Sequence, residues 1–201
     1  MTRFSTVRHP VRITLAVLAI AALPAGAAVA LPSDGSSPQV SPAAAERSTG
    51  CAAGWGSLPE ASKTPGRAAV QNVRTGRHAC FDRLVVDLGG RSTGYQVAYV
   101  PVVIQDGSGA EVPTRGNAVL RIAVEAPAYD AAGRPTYRLK NQRELSNVTG
   151  YDTFRQVAWG GSFEGRTALA LGVRARLPFQ TQVIAGPGSS TRLVVDVAHH
   201  W

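Results

Sequence analysis

The chain has 201 residues, and its 21 Lys and Arg residues outnumber 13 Asp and Glu residues to give a formal net charge of +8. This length is typical of one domain, or of one domain with a tail. The sequence contains no phosphate-binding glycine loop, dinucleotide fingerprint or basic-aromatic nucleic-acid module, which disfavours nucleotide chemistry and nucleic-acid binding. Because Lys63 and Lys140 are the only lysines, the positive charge is almost all arginine. Such charge suits polyanionic envelope polymers and is equally typical of an ordinary arginine-rich surface.

Two segments precede the predicted domain. Residues 1–30 combine three arginines, an apolar run and the small-residue triplet Ala28–Ala30, a layout that predicts a secretory signal peptide. The alternative is a retained membrane anchor, but Pro24 and Gly26 interrupt the apolar run and favour cleavage. Residues 31–50 are rich in Pro, Ser and Ala and predict a disordered linker. We therefore expect an exported protein with no stable membrane span, whose single domain covers residues 51–201.

Cys51 and Cys80 are the two cysteines of the chain. In an exported protein an even cysteine count makes a disulfide the default. This disulfide would attach the segment around Trp55 to the first core strands. Neither cysteine has a histidine at metal-ligand spacing, so we predict no metal site here.

The stretch Cys80–Gly90 alternates with a period of two, which is the pattern of a strand with one buried face. Its apolar stripe consists of Leu84, Val86 and Leu88. Thr191–Val197 repeats the motif R-L-V-V-D in the same phase, which indicates two equivalent strands, either in a pseudo-symmetric fold or through a shared strand pattern alone. Asp87 and Asp196 fall opposite the stripe, where we expect each to pair with an arginine of a neighbouring strand.

Short alternating segments with turn signals between them make up the rest of the domain. We predict further strands at 68–73, 94–104, 118–124, 154–159, 166–173 and 179–184. Turns are predicted at 74–77, 106–109, 160–161 and 186–188. The result is an all-β fold of about eight short strands, arranged as a β-sandwich or a curled antiparallel sheet.

The residues for catalysis are sparse. The histidines after the leader are His78, His199 and His200, and no G-x-S-x-G elbow occurs. Adjacent His199 and His200 would point to opposite sides of an extended chain, which disfavours a shared metal. The carboxylates available for glycoside cleavage are Asp82, Asp87, Glu125, Glu164 and Asp196, and we expect them to be structural. We therefore predict no enzymatic activity, no cofactor and no metal; the alternative is a small secreted hydrolase with an unrecognised site.

Several segments form a combination that points to one family. They are GWG at 54–56, VRTGRHACFDRLVVDLGG at 73–90, APAYD at 126–130, TFRQVAWGGSFEG at 153–165, LGVRARLPF at 171–179 and RLVVDVAHHW at 192–201. Together they resemble the AMIN-like domain of secreted and lipid-anchored actinobacterial proteins, and the R-L-V-V-D motifs are similar to those of the AMIN domain of cell-wall amidases and secretins. The resemblance covers the chain from Trp55 to the C-terminus. It implies a small two-sheet β-sandwich without catalytic activity that binds or localises at the envelope, with peptidoglycan as the usual ligand.

A sugar or peptide ligand of that kind would be contacted by an aromatic platform and arginine forks. Our candidate contacts are Arg74, Arg77, Arg155 and Trp159. The alternative is that each is an ordinary turn, surface or core residue, with Trp159 in particular a core aromatic. The predicted partner is a cell-wall polymer or an envelope protein. The alternative function is a secreted protein-docking domain with no affinity for polysaccharide.

Overall fold

The computed structural model describes residue 51 and residues 54–64, 66–91 and 94–201. The predicted signal peptide and linker lie outside these residues. Eleven strands occur in the described part: β1 (Glu60–Ser62), β2 (Ala68–Arg77), β3 (Phe81–Gly90), β4 (Tyr95–Val100), β5 (Val103–Ile104), β6 (Glu111–Val112), β7 (Ala118–Val124), β8 (Phe154–Phe163), β9 (Arg166–Val173), β10 (Phe179–Ala185) and β11 (Thr191–Ala198). In the same ranges, no helix is long and apolar enough to cross a membrane.

Two antiparallel sheets share one hydrophobic core, as the all-β prediction requires. The first, called the five-stranded sheet, has the order β1-β4-β7-β9-β8, and the second, called the four-stranded sheet, has the order β10-β11-β3-β2. A short β5-β6 ladder forms a third sheet, and its Val103 packs against Ala158 and Ala170 of the five-stranded sheet. Side chains from both sheets are fully buried in the common core, among them Leu84, Val86, Val195, Leu120, Ile122 and Leu169. Alternation along each strand therefore directs one face of each sheet inward.

The repeated motif forms the centre of the four-stranded sheet, where its two copies pair with each other. Strands β3 and β11 are antiparallel, with Val85 opposite Val194 at the midpoint. Because the strands run in opposite directions, the arginine of each copy lies opposite the aspartate of the other: Arg83 faces Asp196 and Arg192 faces Asp87. Opposite charges at directly facing positions stabilise a strand pair. The repeat is thus a self-complementary sequence, and both predicted arginine–aspartate pairings are confirmed.

The predicted turns at 106–109 and 186–188 are confirmed. The other two were wrong, because strand pairing overrides local turn propensity. The segment Arg74–Arg77 continues β2 and pairs with β3 as far as Asp82, and the turn follows it, where the His78 N–H donates to the Phe81 carbonyl at 3.0 Å. The pair Gly160–Gly161 lies inside β8 at a bulge. A Cβ atom on Gly160 would come within 2.9 Å of the Ala168 carbonyl oxygen, so the close approach of β9 requires glycine there.

A disulfide between Cys51 and Cys80 confirms the predicted link and holds an arm that runs across the ends of both sheets. The Trp55 ring packs 5.7 Å from that of Phe81. Further along the arm, the Gly56 carbonyl accepts a hydrogen bond of 2.7 Å from Phe179 N–H, after which the arm enters β1. The disulfide therefore attaches the arm to the four-stranded sheet, as predicted.

We expect the double variant Cys51→Ser, Cys80→Ser to lose about 3 to 4 kcal/mol of unfolding free energy, since the bond closes a loop with a sequence separation of 29. Urea unfolding of the full chain, with and without reductant, measures the loss. Reductant should lower the stability of the wild type and leave the double variant unchanged. A loss below about 1 kcal/mol would show that the arm stays attached without the bond.

Candidate functional site

The two predicted arginines on β2 are occupied by ion pairs. Arg74 projects from the outer face of the four-stranded sheet, where its Nε donates to Asp87 Oδ2 at 2.9 Å. Arg77 lies at the end of β2 and donates through Nε to Asp152 Oδ2 at 2.7 Å. The hydrogen bond to Asp152 raises the pKa of Arg77 above its ordinary value. A ligand anion would have to compete with these carboxylates for either guanidinium group.

The other two predicted residues lie on β8 in different surroundings. Arg155 donates to the carbonyl oxygens of Tyr151 and Phe154 at 3.2 and 2.9 Å. Trp159 is half-buried against the core, and its ring lies 5.9 Å from that of Tyr137. Trp159 shares no hydrogen bond or ring contact with the predicted arginines, so the structure does not bring the four residues into one cluster. Their contact with a ligand stays a prediction.

Beside Trp159 lies an open aromatic groove. It forms where the irregular segment between β7 and β8 packs along the edge strand β8, held by hydrogen bonds from Leu145 N–H to the Val157 carbonyl and from Trp159 N–H to the Gln142 carbonyl, at 2.8 and 2.7 Å. The groove is lined by Ala128, Tyr129, Gly133, Pro135, Tyr137, Arg138, Leu139, Trp159 and Ser162. Two tyrosines, a tryptophan and an arginine therefore converge there, and none of the lining residues is acidic.

Three polar groups of this groove have no hydrogen-bond partner among the described residues: the Trp159 indole N–H, the Tyr137 hydroxyl and the Arg138 guanidinium. Burial raises the pKa of Tyr137, so its hydroxyl stays protonated and can donate. In contrast, the Tyr129 hydroxyl already accepts the Gly165 N–H at 3.2 Å. The groove thus offers aromatic faces and solvent-accessible donors side by side, which is the composition of a site for a polar ligand with apolar faces.

Three residues of the groove were not predicted as candidate contacts: Tyr129, Tyr137 and Arg138. They lie in a stretch with no periodic pattern, so nothing in it predicts which side chains share a surface. A usable signal was present in the density of aromatic and basic residues between Tyr129 and Lys140, since loops held by a rigid scaffold carry function disproportionately often.

A second cluster, of Asp82, Asp152 and His199, is largely buried at the end of the core. His199 Nε2 lies 3.2 Å from Asp82 Oδ1 and 3.7 Å from Asp152 Oδ2. Asp82 is fully buried, and its Oδ2 accepts the N–H groups of Thr153 and Phe154 at 2.6 and 3.0 Å. Strand pairing explains the contact, because β3 and β11 place Asp82 opposite Val197, two residues before His199.

The ligand atoms of this cluster lie within 4.8 Å of one another, so these are the described residues that could offer ligands to a metal ion. Each of them is already bonded, however: Asp152 to Arg77, and Asp82 to two backbone N–H groups and His199. Within the described residues, no serine, threonine or cysteine side chain hydrogen-bonds to His199, so the histidine–carboxylate pair faces no nucleophile. Its evident role is to hold β11 against the segment that enters β8.

The pKa of Asp152 is lowered, chiefly by its hydrogen bond from Arg77. A carboxyl group whose folded pKa is depressed stabilises the fold above its unfolded pKa, and this stabilisation disappears as the pH falls through the folded pKa. We therefore expect the unfolding free energy of the Asp152→Asn variant to fall less steeply than that of the wild type between about pH 5 and pH 2. Urea unfolding across this range measures the slope, with Glu111→Gln, an exposed acid without an ion pair, as the control. Equal slopes for Asp152→Asn and the wild type would contradict the assignment.

Comparisons with known proteins place the chain in a family. A search of curated proteins gave no match, and neither did a search of solved structures. The sequence model of one family, described as the AMIN-like domain, matches residues 68–199. The match extends from β2 to His199 and so contains every strand except β1, both copies of the R-L-V-V-D motif and the aromatic groove. The chain therefore belongs to the AMIN-like domain family.

Proposed function

We propose that this protein is a non-catalytic, exported module that binds a polymer of the cell wall through the aromatic groove. The family points to a cell-wall-associated module in general, and the disulfide is consistent with an extracytoplasmic location. The proposed ligand is peptidoglycan or a polymer attached to peptidoglycan, since these are the polymers of the wall with which such a module associates.

The observation that carries the proposal is the set of unpartnered donors beside exposed ring faces. Sugar rings present apolar C–H faces and hydroxyl edges, which match the rings of Trp159 and Tyr137 and the donors around them. Tyr137 and Trp159 are only partly buried although they pack on the core. The Trp159 indole N–H and the Tyr137 hydroxyl are not among the buried unpartnered atoms of the described residues, so both are open to solvent and accessible to a ligand.

Retention on purified walls tests the proposal. The full chain should sediment with walls well above an albumin control, and the pair Tyr137→Leu, Arg138→Gln should lose most of that retention while keeping the unfolding transition. The pair Arg155→Ala, Trp159→Ala tests the predicted contacts on β8, with circular dichroism to check folding. Retention equal to that of albumin would refute wall binding. Strong retention that survives both pairs would place the site elsewhere.

One observation favours protein docking as a second candidate function. Strand β10 is an edge strand, and the N–H groups of Phe179 and Thr181 point outward to Gly56 and Glu60 of the arm. By the strand period, those of Val183 and Ala185 point outward as well, without a partner in the described chain. An open edge of this kind accepts an added strand. Crosslinking in living cells that recovers one protein and no wall fragment would favour this function.

A further inference from the structure

The segment Arg138–Arg143, called here the basic segment, borders the aromatic groove. Its first two residues line the groove, and its Gln142 carbonyl accepts the Trp159 N–H at 2.7 Å. The cations of the segment are Arg138, Lys140 and Arg143, all three exposed. Their side chains form no ion pair or hydrogen bond with any described residue, and the segment contains no acid.

Neighbouring acids do not neutralise this charge. Asp130 is bonded to Arg134, and Glu144 is paired with Arg115. Elsewhere, most arginines on the sheets are matched by carboxylates, such as Arg83 by Asp196 and Arg121 by Asp106. This edge of the molecule therefore combines three exposed, unpaired cations with an aromatic groove whose lining contains no acid. It attracts an anionic ligand and repels a cationic one.

The spacing of the three cations favours a ligand that carries negative charges at several points along its length. Residues 138 to 143 reach at most about 17 Å when extended, so three cations would contact charges distributed along a ligand. A phosphodiester-linked sugar polymer carries one charge at each repeat, and its sugar rings fit the aromatic groove. Arginine also binds phosphate through two parallel hydrogen bonds. Resting on the proposed wall binding, we propose that the groove and the basic segment together bind a phosphodiester-linked glycopolymer attached to the wall.

Chemically treated walls test the ligand directly. The full chain is sedimented with intact walls, with walls whose phosphodiester-linked polymers are removed by hydrofluoric acid, and with walls whose carboxyl groups are amidated. We expect the acid treatment to lower the affinity by about tenfold or more and amidation to change it little; on intact walls, 0.5 M salt should reduce binding on the order of tenfold.

Unchanged binding after acid treatment overturns the inference and leaves wall binding intact. Loss only after amidation also overturns it, because the ligand would then be a carboxylate of the peptide stems. Absence of binding to intact walls refutes the proposed function, and the inference with it.

A matched pair of triple variants locates the surface. The first is Arg138→Gln, Lys140→Gln, Arg143→Gln, which removes the charge of the basic segment. The control is Lys63→Gln, Arg67→Gln, Arg91→Gln, which makes the same chemical changes at exposed cations that lie outside the groove and have no partner in the described chain. We expect the first variant to lose affinity for intact walls by about tenfold and the control to lose less than threefold. Equal losses would show that net charge alone drives binding and would overturn the assigned site.

Discussion

Replacing Arg83 by alanine is expected to lower the unfolding free energy by about 3 to 5 kcal/mol. Arg83 donates two hydrogen bonds, of 2.7 and 2.8 Å, to an Asp196 carboxylate whose side chain is 0% exposed. After the substitution, Asp196 keeps only a 3.4 Å contact with the Gln180 amide. The cost follows from leaving a buried carboxylate without its cation. Urea unfolding monitored by circular dichroism measures it.

The self-complementary motif supplies a matched control. Arg192 occupies the equivalent position in the second copy, but its partner Asp87 is 25% exposed and also accepts hydrogen bonds from Arg74. We therefore expect Arg192→Ala to cost less than about 1 kcal/mol, because Asp87 retains a cation and contact with water. The double variant Arg83→Met, Asp196→Leu should recover much of the Arg83→Ala loss. Equal losses for Arg83→Ala and Arg192→Ala would contradict this account of the central strands.

The substitution Asp82→Ala is expected to cost about 3 to 5 kcal/mol. It removes the acceptor of the Thr153 and Phe154 N–H groups, which are buried at the start of β8, and the partner of His199. Buried donors left without an acceptor incur their full desolvation penalty. Differential scanning calorimetry of the full chain measures the loss.

Asp82→Asn is the isosteric comparison, since an amide oxygen can still accept both backbone N–H groups. We expect this substitution to lower the unfolding free energy by about 1 to 2 kcal/mol, because an uncharged amide accepts weaker hydrogen bonds than a carboxylate. A small loss for both variants would show that water replaces the carboxylate and that β8 is held by other contacts. Loss of wall retention in Asp82→Asn, with stability preserved, would indicate that this cluster takes part in binding.

Much of the fold was predictable because period-two patterns need only local information. The apolar stripe of β3 and its repeat in β11 gave both central strands of one sheet, and the facing charges followed from their antiparallel pairing. The segment Arg74–Arg77 was assigned to a turn because its glycine and threonine favour one. Its ladder with β3 depends on residues 5 to 11 positions away along the chain, which local propensity does not include.

The site was less predictable, since it depends on long-range contacts. Trp159 stays a predicted ligand contact, whereas its neighbour Tyr137 lies 22 residues earlier in an irregular segment and was not predicted. His199 and Asp82 are 117 residues apart and meet only through strand register. Irregular backbone carries no period from which side-chain direction can be read. A cluster assembled from such segments becomes visible only in three dimensions.

Wall association and the geometry of the groove support one another. A rigid two-sheet core fixes β8, and β8 fixes the position of Trp159 and of the segment that covers it through backbone hydrogen bonds. Binding residues held by such a scaffold are ordered before the ligand arrives, which reduces the entropy cost of binding. The proposed binding of an extended polymer to the groove would therefore need no conformational change.

The three tryptophan indole N–H signals of the full chain provide the most direct measurement. Soluble wall fragments are titrated into the labelled protein, and the signals of Trp55, Trp159 and Trp201 are assigned by single substitutions. The Trp201 indole donates to the Arg176 carbonyl at 3.1 Å and lies outside the groove, so it serves as an internal reference. Binding in the groove predicts a saturable shift of the Trp159 signal with little change in the other two. A Trp159 signal that stays fixed while fragments bind, or a shift confined to Trp55, would contradict the account.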